Sequence, residues 1–418
     1  MTSRPSADAG AEPAAQIAGA DAATLDRFAE LLVGFAANVQ PGQIVAVSSE
    51  IGKEPLTRAI ATAAYAHGAT YVDVAYADPF VRRARIEHGS DAALETVPSW
   101  IGERILALGD QRCARIALTG PTAPRLLEDL DPARVGADRA QTLREAGKVL
   151  NDRTTNWTIG PCPTPGWAAQ VHPDLPPDEA LARLWEQIVH VCRLDEHDPV
   201  AAWRERMATL RAVTERLTAA RFDALHFAGP GTDLTVGLLP SSTWLSASFE
   251  TADSIAHVPN LPSEEVFTTP DPARVDGVAR ATKPLQLAGA TIEGLTVRFE
   301  GGRAVQIDAE RGADVLRAMS AHDDGAARLG EVALVDGSGR IGPLDTVFYD
   351  TLLDENAASH IALGQAFAFA VGDDPDRERI NTSMVHIDFM IGGDDVAVDG
   401  VAADGSRTPV LRGGVWQI

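Results

Sequence analysis

The spacing of apolar residues in the first half of the chain predicts alternating helices and strands. Helical patterns cover residues 25–39, 56–69, about 91–108 and, in more polar form, about 137–149. Short apolar runs of strand length lie at 43–49, 70–76 and 114–120. Strands that alternate with helices are typical of βαβ units, so we expect an α/β domain with a parallel sheet here.

The pattern changes after a charged stretch, residues 177–220, which we predict to be helical and to join the two halves. From residue 222 onward, short apolar runs alternate with turns, and glycine and aspartate are frequent. This pattern predicts an α+β domain that consists mostly of sheet. We therefore expect a disordered tail at 1–22, an N-terminal α/β domain at 23–195 and an α+β C-terminal domain at 196–418.

Composition and charge narrow the class of protein. The formal net charge of −23 over 418 residues argues against nucleic acid as a partner. No apolar run approaches the ~20 residues of a membrane span, and the first residues lack the apolar part of a secretory signal. Cys113, Cys162 and Cys192 form no CxxC pair, which favours a reducing compartment. We therefore expect a cytoplasmic protein without a membrane segment.

The apolar run HIDFMIGG, residues 386–393, contains two polar residues. Side chains alternate across a strand, so His386 and Asp388 point to the same face of it. An imidazole and a carboxylate placed side by side form either a buried ion pair or two ligands of a metal ion.

Glutamates stand in two other apolar stretches of the second half. Glu264 and Glu265 lie between a proline turn and an apolar pair, and Glu331 lies near the start of an apolar strand. A charge at the edge of a strand is the structural alternative for Glu331. A metal ligand is the functional one, because carboxylates bind divalent cations and can bridge two of them.

The segment 351–367 is predicted to be a helix that carries a second histidine. Asn356 and His360 are four positions apart, so they would share one face of this helix. A hydrogen-bonded core histidine is the structural alternative for His360. Histidines and carboxylates cost several kcal/mol each when buried without partners, however, and a pair of divalent metal ions would offset that cost.

Several motifs of the chain resemble those of the M29 family of metallo-aminopeptidases, over about residues 24 to 418. The sharpest resemblances are NLPSEEVFTTPD, VDGVARATKPL, RLGEVALV, DENAASHIALG and HIDFMIGG. In the first half, NVQPGQIVAV, AAYAHGATYVDVAYAD and NWTIGPCPTPGWA are also similar to the family. Unrelated motifs in the same order make this a specific match.

The resemblance implies a dinuclear site with two divalent ions, of zinc, cobalt, manganese or magnesium. Matched motif by motif, the family's metal ligands fall on five residues of the C-terminal domain, Glu265, Glu331, His360, His386 and Asp388. Glu264 stands directly before Glu265, and we prefer Glu265 as the ligand. Glu264 then becomes a candidate for proton transfer or for supporting the ligands from behind.

The resemblance also marks three residues beside the expected metal ligands. Lys283 and Arg328 lie inside matched motifs and are candidates for binding a substrate carboxylate or the oxyanion. The family has a tyrosine seven residues after the first histidine, where this chain has Phe367. A phenylalanine lacks the hydroxyl that would donate a hydrogen bond there, so the change is either a tolerated variant or a cause of weaker activity.

The activity implied is that of a hydrolase, a cytoplasmic metalloprotease that releases N-terminal amino acids from short peptides through a metal-activated water. The resemblance further implies a homodimer that encloses the active sites. Two alternatives stay open at this stage. In the first alternative, the chain is a weakened M29-like protein, as Phe367 suggests. In the second, it is a metal-dependent amidohydrolase that acts on a specialised amide.

Overall fold

The computed structural model describes residues 19–138, 144–287, 290–372 and 375–418. Most of the predicted tail, residues 1–18, therefore lies outside the described residues, and α1 already begins at Ala22. Residues 139–143 of the helix predicted at 137–149 also lie outside them. The helices are α1 Ala22–Glu30, α2 Glu54–Ala66, α3 Pro79–His88, α4 Asp91–Glu95, α5 Ser99–Asp110, α6 Pro132–Ala137, α7 Arg144–Asn151, α8 Pro165–Val171, α9 Pro177–Val191, α10 Pro199–Ala220, α11 Ala313–Ser320 and α12 Thr351–Asp354.

The first half of the chain builds a four-stranded parallel sheet in the order β2-β1-β3-β4. Its strands are β1 Ile44–Glu50, β2 Tyr71–Ala77, β3 Ala114–Thr119 and β4 Trp157–Pro161. The predicted α/β architecture is confirmed. The helix predicted at 91–108 is instead two helices, α4 and α5, because Pro98 interrupts the pattern. Helix α1 continues into a π-helical turn at Leu31–Ala36.

The charged stretch 177–220 forms two helices, α9 and α10, as predicted. Asp198 caps the start of α10, where its side chain accepts a hydrogen bond from the Ala201 N–H, and Pro199 occupies the first helical position. Helix α10 ends at Arg221, which has a positive φ of 51°. Helix α10 therefore begins where the sequence provides a capping aspartate followed by a proline.

The second half is mostly antiparallel sheet, which confirms the predicted α+β class. An eight-stranded sheet has the order β15-β14-β11-β6-β5-β19-β20-β21, and a five-stranded sheet has the order β18-β17-β16-β10-β7. The strands are β5 Ala224–Gly229, β6 Thr232–Leu238, β7 Leu245–Ser246, β8 Phe249–Glu250, β9 Ala256–His257, β10 Glu265–Thr268, β11 Pro270–Arg280, β12 Leu285–Leu287, β13 Ala290–Ile292, β14 Thr296–Glu300, β15 Arg303–Asp308, β16 Leu329–Val335, β17 His360–Gly364, β18 His386–Met390, β19 Ala397–Val401, β20 Arg407–Arg412 and β21 Val415–Trp416.

The two halves share one hydrophobic core, whose buried residues run from Ala20 to Leu411. Strand β4 connects them directly, because the Ile159 N–H donates to the Pro259 carbonyl at 2.7 Å and the Ile159 carbonyl accepts from the Leu261 N–H at 2.9 Å. This contact fixes the segment that leads into β10. The predicted domain boundary between residues 195 and 196 stays a prediction.

Candidate metal centre

Four neighbouring strands of the five-stranded sheet carry the five predicted metal ligands. Glu265 lies on β10, Glu331 on β16, His360 on β17, and both His386 and Asp388 on β18. Strands β16 and β17 are buried along their whole length, so polar side chains on them need partners. The residues lie far apart along the chain and meet only because these strands are adjacent.

The register of the strands places the polar side chains in one region of one face. Glu331 lies opposite Ala362, and Ala362 lies opposite Asp388 on the next strand. His360 lies one row further along the same face, opposite Ala333. The small alanine side chains leave space between the longer polar ones on the neighbouring strands.

Two glycines allow the strands to approach closely at this point. A β-bulge between Leu329 and Glu331 shifts the register of β16, and a Cβ at Gly330 would lie 2.3 Å from the Gly364 carbonyl oxygen. Gly364 has a φ of +104°, and a Cβ there would lie 2.0 Å from the Val385 oxygen. Larger residues at either position would displace the strands that carry Glu331 and His386.

The ligand atoms form two groups that share one carboxylate. Oxygen and nitrogen atoms of Glu265, Glu331 and His360 lie within 4.8 Å of one another, and so do those of Glu331, His386 and Asp388. The His360 Nε2 lies 3.1 Å from Glu265 Oε2, and the His386 Nε2 lies 3.2 Å from Glu331 Oε2. A shared carboxylate between two sets of ligands is the arrangement that a dinuclear site requires.

Both imidazoles are oriented by backbone carbonyls. The Nδ1 of His360 lies 3.2 Å from the Ala358 oxygen, and the Nδ1 of His386 lies 2.8 Å from the Gln365 oxygen. When Nδ1 donates its proton to a carbonyl, Nε2 of the neutral ring is left as an acceptor. Each Nε2 faces a carboxylate oxygen at 3.1 or 3.2 Å, a contact that needs either a proton on the ring or a shared cation.

The buried charges of the site also favour bound cations. Apart from the His360 Nε2 at 3.1 Å, the buried Glu265 Oε2 has no polar partner among the described residues. Burial raises the pKa of Glu331, although His386 counteracts this. Burial lowers the pKa of His360, but the contact with Glu265 and the charges of Glu331 and Asp388 raise it to about 10 overall. The protein thus gathers negative charge and orphaned acceptors here, and divalent cations fit this set of donors.

Sequence reasoning missed Glu355, the fourth carboxylate of this cluster. It lies in a 3₁₀ turn, Glu355–Ala357, directly before β17. Its burial and the charges of Asp388 and Glu265 raise its pKa well above the usual value. The motif DENAASH contained the residue, but its neighbours along the chain give no sign that it would reach the sheet. Four carboxylates are the charge that two divalent cations neutralise.

The predicted helix at 351–367 is wrong beyond its first turn. Only Thr351–Asp354 is α-helical, and His360–Gly364 is strand β17, which lies between β18 and β16. Asn356 and His360 therefore do not share a helix face. The side chain of Asn356 accepts a hydrogen bond from the Glu264 N–H at 2.6 Å instead. A short run that is buried on both sides has no alternation, so its spacing does not distinguish strand from helix.

The Glu264 carboxylate does not join the metal ligands. It is fully buried, and its oxygens accept hydrogen bonds from Arg193 at 2.7 Å and Arg206 at 2.5 Å. Arg206 also binds Asp336 at 2.7 Å. We call these four residues the arginine network. The predicted proton transfer by Glu264 finds no support in this geometry, since both oxygens are engaged away from the cluster.

Phe367 lies beside the cluster, as expected. Its ring centroid is 5.2 Å from that of His386 and 5.4 Å from that of Phe267. The His386 side chain is 29% exposed, whereas at most 10% of each of the other four predicted ligand side chains is exposed. The site is therefore open to solvent on the side of His386 and Phe367.

The two predicted cationic residues, Arg328 and Lys283, have different surroundings. Arg328 donates hydrogen bonds to the backbone oxygens of Pro272 at 3.0 Å and Gly301 at 3.2 Å, so its guanidinium supports the fold. Lys283 lines a cleft of 830 Å³ that also includes Ala358 and Ser359, which directly precede His360. Lys283 therefore borders a cleft that reaches the two residues before His360.

Comparison with known proteins places this arrangement in a family. The model of the thermophilic metalloprotease family M29 matches residues 21–416. The chain belongs to the M29 family of metalloproteases. The resemblance seen in the motifs is confirmed, and the chain is accordingly a metal-dependent hydrolase by family.

Relatives within the M29 family match over nearly their whole length. Aminopeptidase T of Thermus aquaticus is 44% identical over 402 residues, which are 94% of this chain and 98% of the relative. Aminopeptidase 2 of Geobacillus stearothermophilus is 37% identical over 94% of this chain and 97% of its own. The solved structure of wild-type AmpT from Thermus thermophilus superposes with a TM-score of 0.87 at 42% identity, covering 95% of this chain and 99% of that one.

Proposed function

We propose that this protein is a dinuclear metallo-aminopeptidase that releases N-terminal amino acids from short peptides. The observation that carries the proposal is that Glu331 belongs to two groups of ligand atoms at once. Relatives that match nearly the whole chain are named aminopeptidases, which supports this activity over an amidohydrolase for a specialised amide.

Five side chains are proposed to hold the ions, with Glu331 between them. Glu265 and His360 would complete one group, and His386 and Asp388 the other. Zinc, cobalt, manganese and magnesium all suit carboxylate and imidazole ligands to some degree, so the identity of the ions is decided by measurement. When bound, two such ions supply Lewis acidity and a water of lowered pKa.

The remaining roles fall to the chain's own groups. Glu355 is proposed to move the proton to the leaving amine, because it lies in the turn directly before β17, beside the carboxylates of Asp388 and Glu265. A carboxylate of the cluster is proposed to accept a hydrogen bond from the α-ammonium of a peptide, which favours substrates with a free N-terminus. Lys283, in the cleft next to Ala358, is proposed to bind the substrate's carboxylate.

We further propose a homodimer in a reducing compartment such as the cytoplasm. Tyr76, Phe80 and Val81, at the end of the edge strand β2 and the start of α3, are 43%, 61% and 67% exposed. Exposed apolar side chains in one region favour contact with a second copy. The three cysteines are free and buried, as expected where thiols stay reduced. No helix within the described ranges is long and apolar enough to cross a membrane.

Metal analysis paired with peptidase assays tests the proposal. Wild-type protein is expected to contain two divalent ions per chain and to hydrolyse leucyl- and alanyl-anilides. The His360→Ala variant is expected to lose metal and activity together, whereas His88→Ala, at an exposed histidine, keeps both. Equal metal content and equal activity in wild type and His360→Ala would remove His360 from the site. Failure of metal-loaded wild type to cleave any N-terminal anilide would refute the activity itself.

A further inference from the structure

A buried asparagine bridges three backbone carbonyls at one end of the metal-facing strands. The Nδ2 of Asn381 donates hydrogen bonds to the carbonyl oxygens of Gly325 at 2.9 Å, Arg328 at 3.0 Å and Gly364 at 2.7 Å. Because all three partners are acceptors, only the amino end of the amide fits at this position. We call Asn381 and these three carbonyls the asparagine clamp.

One side of the asparagine clamp holds the strand that carries the shared carboxylate. Arg328 directly precedes β16, and Glu331 follows the β-bulge that begins at Leu329. A bulge disrupts the regular ladder of hydrogen bonds between strands, so the residues beside it depend on other contacts. The Arg328 carbonyl accepts from Asn381 and also from the Gly364 N–H at 2.8 Å. The clamp therefore fixes the place where β16 enters the site with Glu331.

The other side of the asparagine clamp holds the backbone that orients His386. Gly364 is the last residue of β17 and lies opposite His386 in the register of the strands. The carbonyl of the next residue, Gln365, lies 2.8 Å from the His386 Nδ1. The backbone of Asn381 reaches the same place, because its carbonyl accepts from the Ala366 N–H at 3.1 Å. A displacement of Gly364 would move the Gln365 carbonyl and with it the imidazole.

We propose that Asn381 is a positioning residue that sets the spacing between Glu331 and His386. This inference rests on the proposed dinuclear centre. The His386 Nε2 lies 3.2 Å from Glu331 Oε2 and 3.3 Å from Asp388 Oδ1, so these three side chains hold an ion together only while β16 and β18 keep their separation. Groups that orient metal ligands typically contribute about 10–100-fold to metal affinity.

The asparagine clamp lies at the end of the strands that is remote from the other ligand group. Glu265 lies opposite Val335, the last residue of β16, whereas the clamp binds the residue before its first. His360 is the first residue of β17, and Gly364 is its last. The ion between Glu265 and His360 should therefore depend much less on Asn381.

Metal titrations of chelator-treated protein distinguish a positioning residue from a merely stabilising one. Wild type is expected to bind two zinc ions per chain in calorimetry. The Asn381→Asp variant keeps the shape of the side chain but replaces its amino group with an acceptor. One ion should then bind about 10–100-fold more weakly, and the other should keep its affinity within a few-fold. The weakened ion should be the one that His386→Ala loses.

Asn156→Asp is the matched control for loss of a buried amide. The Asn156 Nδ2 is also close to three acceptors, the oxygens of Ala37 at 2.7 Å, Asn38 at 3.2 Å and the Gln43 side chain at 3.3 Å, but all of them lie in the N-terminal half. Urea denaturation should show a loss of stability in both aspartate variants. Only Asn381→Asp should change the affinity for an ion.

Asn381→Ser keeps one hydroxyl donor, so it should weaken the same ion by less, and it replaces the aspartate variant if that one does not fold. Wild-type affinities for both ions in a folded Asn381 variant would overturn the positioning role and leave the dinuclear centre intact. Equal weakening of both ions would also overturn it, because the effect would not be specific to the spacing of Glu331 and His386. A wild type that binds fewer than two ions would refute the dinuclear centre, and this inference with it.

Discussion

Two regions of this molecule bury several ionisable side chains, and they treat the charge in opposite ways. In the arginine network, Arg193 and Arg206 supply the cations that the Glu264 and Asp336 carboxylates need. In the neighbouring metal-facing cluster, Glu265, on the strand next to that network, meets only carboxylates and imidazoles. The first region is complete within its own chain, whereas the second sets the carboxylates of Glu265, Glu331 and Asp388 against two imidazoles and would be balanced by divalent cations.

The two regions begin at adjacent residues, which makes the comparison direct. Glu264 and Glu265 belong to the same short segment, yet one contacts two arginines and the other a histidine. Adjacent side chains of an extended segment point to opposite sides, so each side of this segment receives one carboxylate. The difference indicates that buried charge without a protein partner is the mark of the functional side.

The largest effect is expected from the carboxylate shared by both groups of ligand atoms. The Glu331→Gln change removes its negative charge and should reduce kcat by more than the ~10–100-fold that loss of a group beside a metal ligand costs. Bound metal per chain should fall as well, as measured by elemental analysis. The matched control is Glu310→Gln, at a side chain that is 74% exposed. Full metal content and activity in Glu331→Gln would show that the cluster does not depend on its central residue.

The next largest effect should be a loss of stability that only the arginine network produces. The Arg206→Met change leaves Glu264 and Asp336 with a partner fewer in a buried site and should lower the free energy of unfolding by about 3–5 kcal/mol. Metal content and activity per folded molecule should stay near the wild-type values. Urea denaturation measures the free energy of unfolding. Elemental analysis measures the metal content, and anilide assays measure the activity.

Arg204→Met, at an exposed position of the same helix, should change stability by less than about 0.5 kcal/mol. If Arg206→Met instead lost metal at unchanged stability, the network would be part of the metal centre and the contrast between the regions would fail.

Added metal should raise the free energy of unfolding only in variants whose metal-facing cluster is intact. Free ion at 100 times its dissociation constant raises the free energy of unfolding by about 2.7 kcal/mol when it binds the folded state alone. Wild type and Arg206→Met should both show this increment over chelator-treated protein, and His360→Ala should lack it. Unfolding curves with and without added zinc or cobalt provide the measurement. An equal increment in His360→Ala would place the stabilising ion elsewhere.

The parallel sheet was predictable from sequence, but not every element around it. Alternating periodicity located β1, β2 and β3 within a residue or two. Helix α3, Pro79–His88, was missed because its exposed surface carries few apolar residues in helical register. Proline at position 98 interrupts the longer helix that the average pattern suggested. Local signals thus found the strands that are runs of apolar residues and missed a helix whose surface is mostly exposed.

The candidate site was predictable where strand alternation alone sets it. His386 and Asp388 share a face of β18, as their spacing requires. The position of Glu355 depends instead on how the turn before β17 packs, and the side of the segment that Glu264 faces depends on where α9 and α10 place their arginines. These are tertiary facts, for which a single sequence carries no periodic signal.

His257 shows a third way to bury an ionisable group, which is to keep it neutral, and its effect on stability should be the smallest of these. Burial lowers the pKa of this imidazole to about 4, below the ordinary value of 6.5. As pH falls below 6.5, the unfolded chain binds the proton first, so unfolding becomes more favourable until the folded pKa is reached. Between pH 7 and pH 5 this costs wild type roughly 2 kcal/mol that a His257→Asn variant does not lose. Urea denaturation of both proteins across this range measures the difference, with His88→Asn at an exposed histidine as control. A difference between wild type and His257→Asn that stays constant with pH would mean that His257 is charged or solvated in the folded protein, and the three-way contrast would reduce to two.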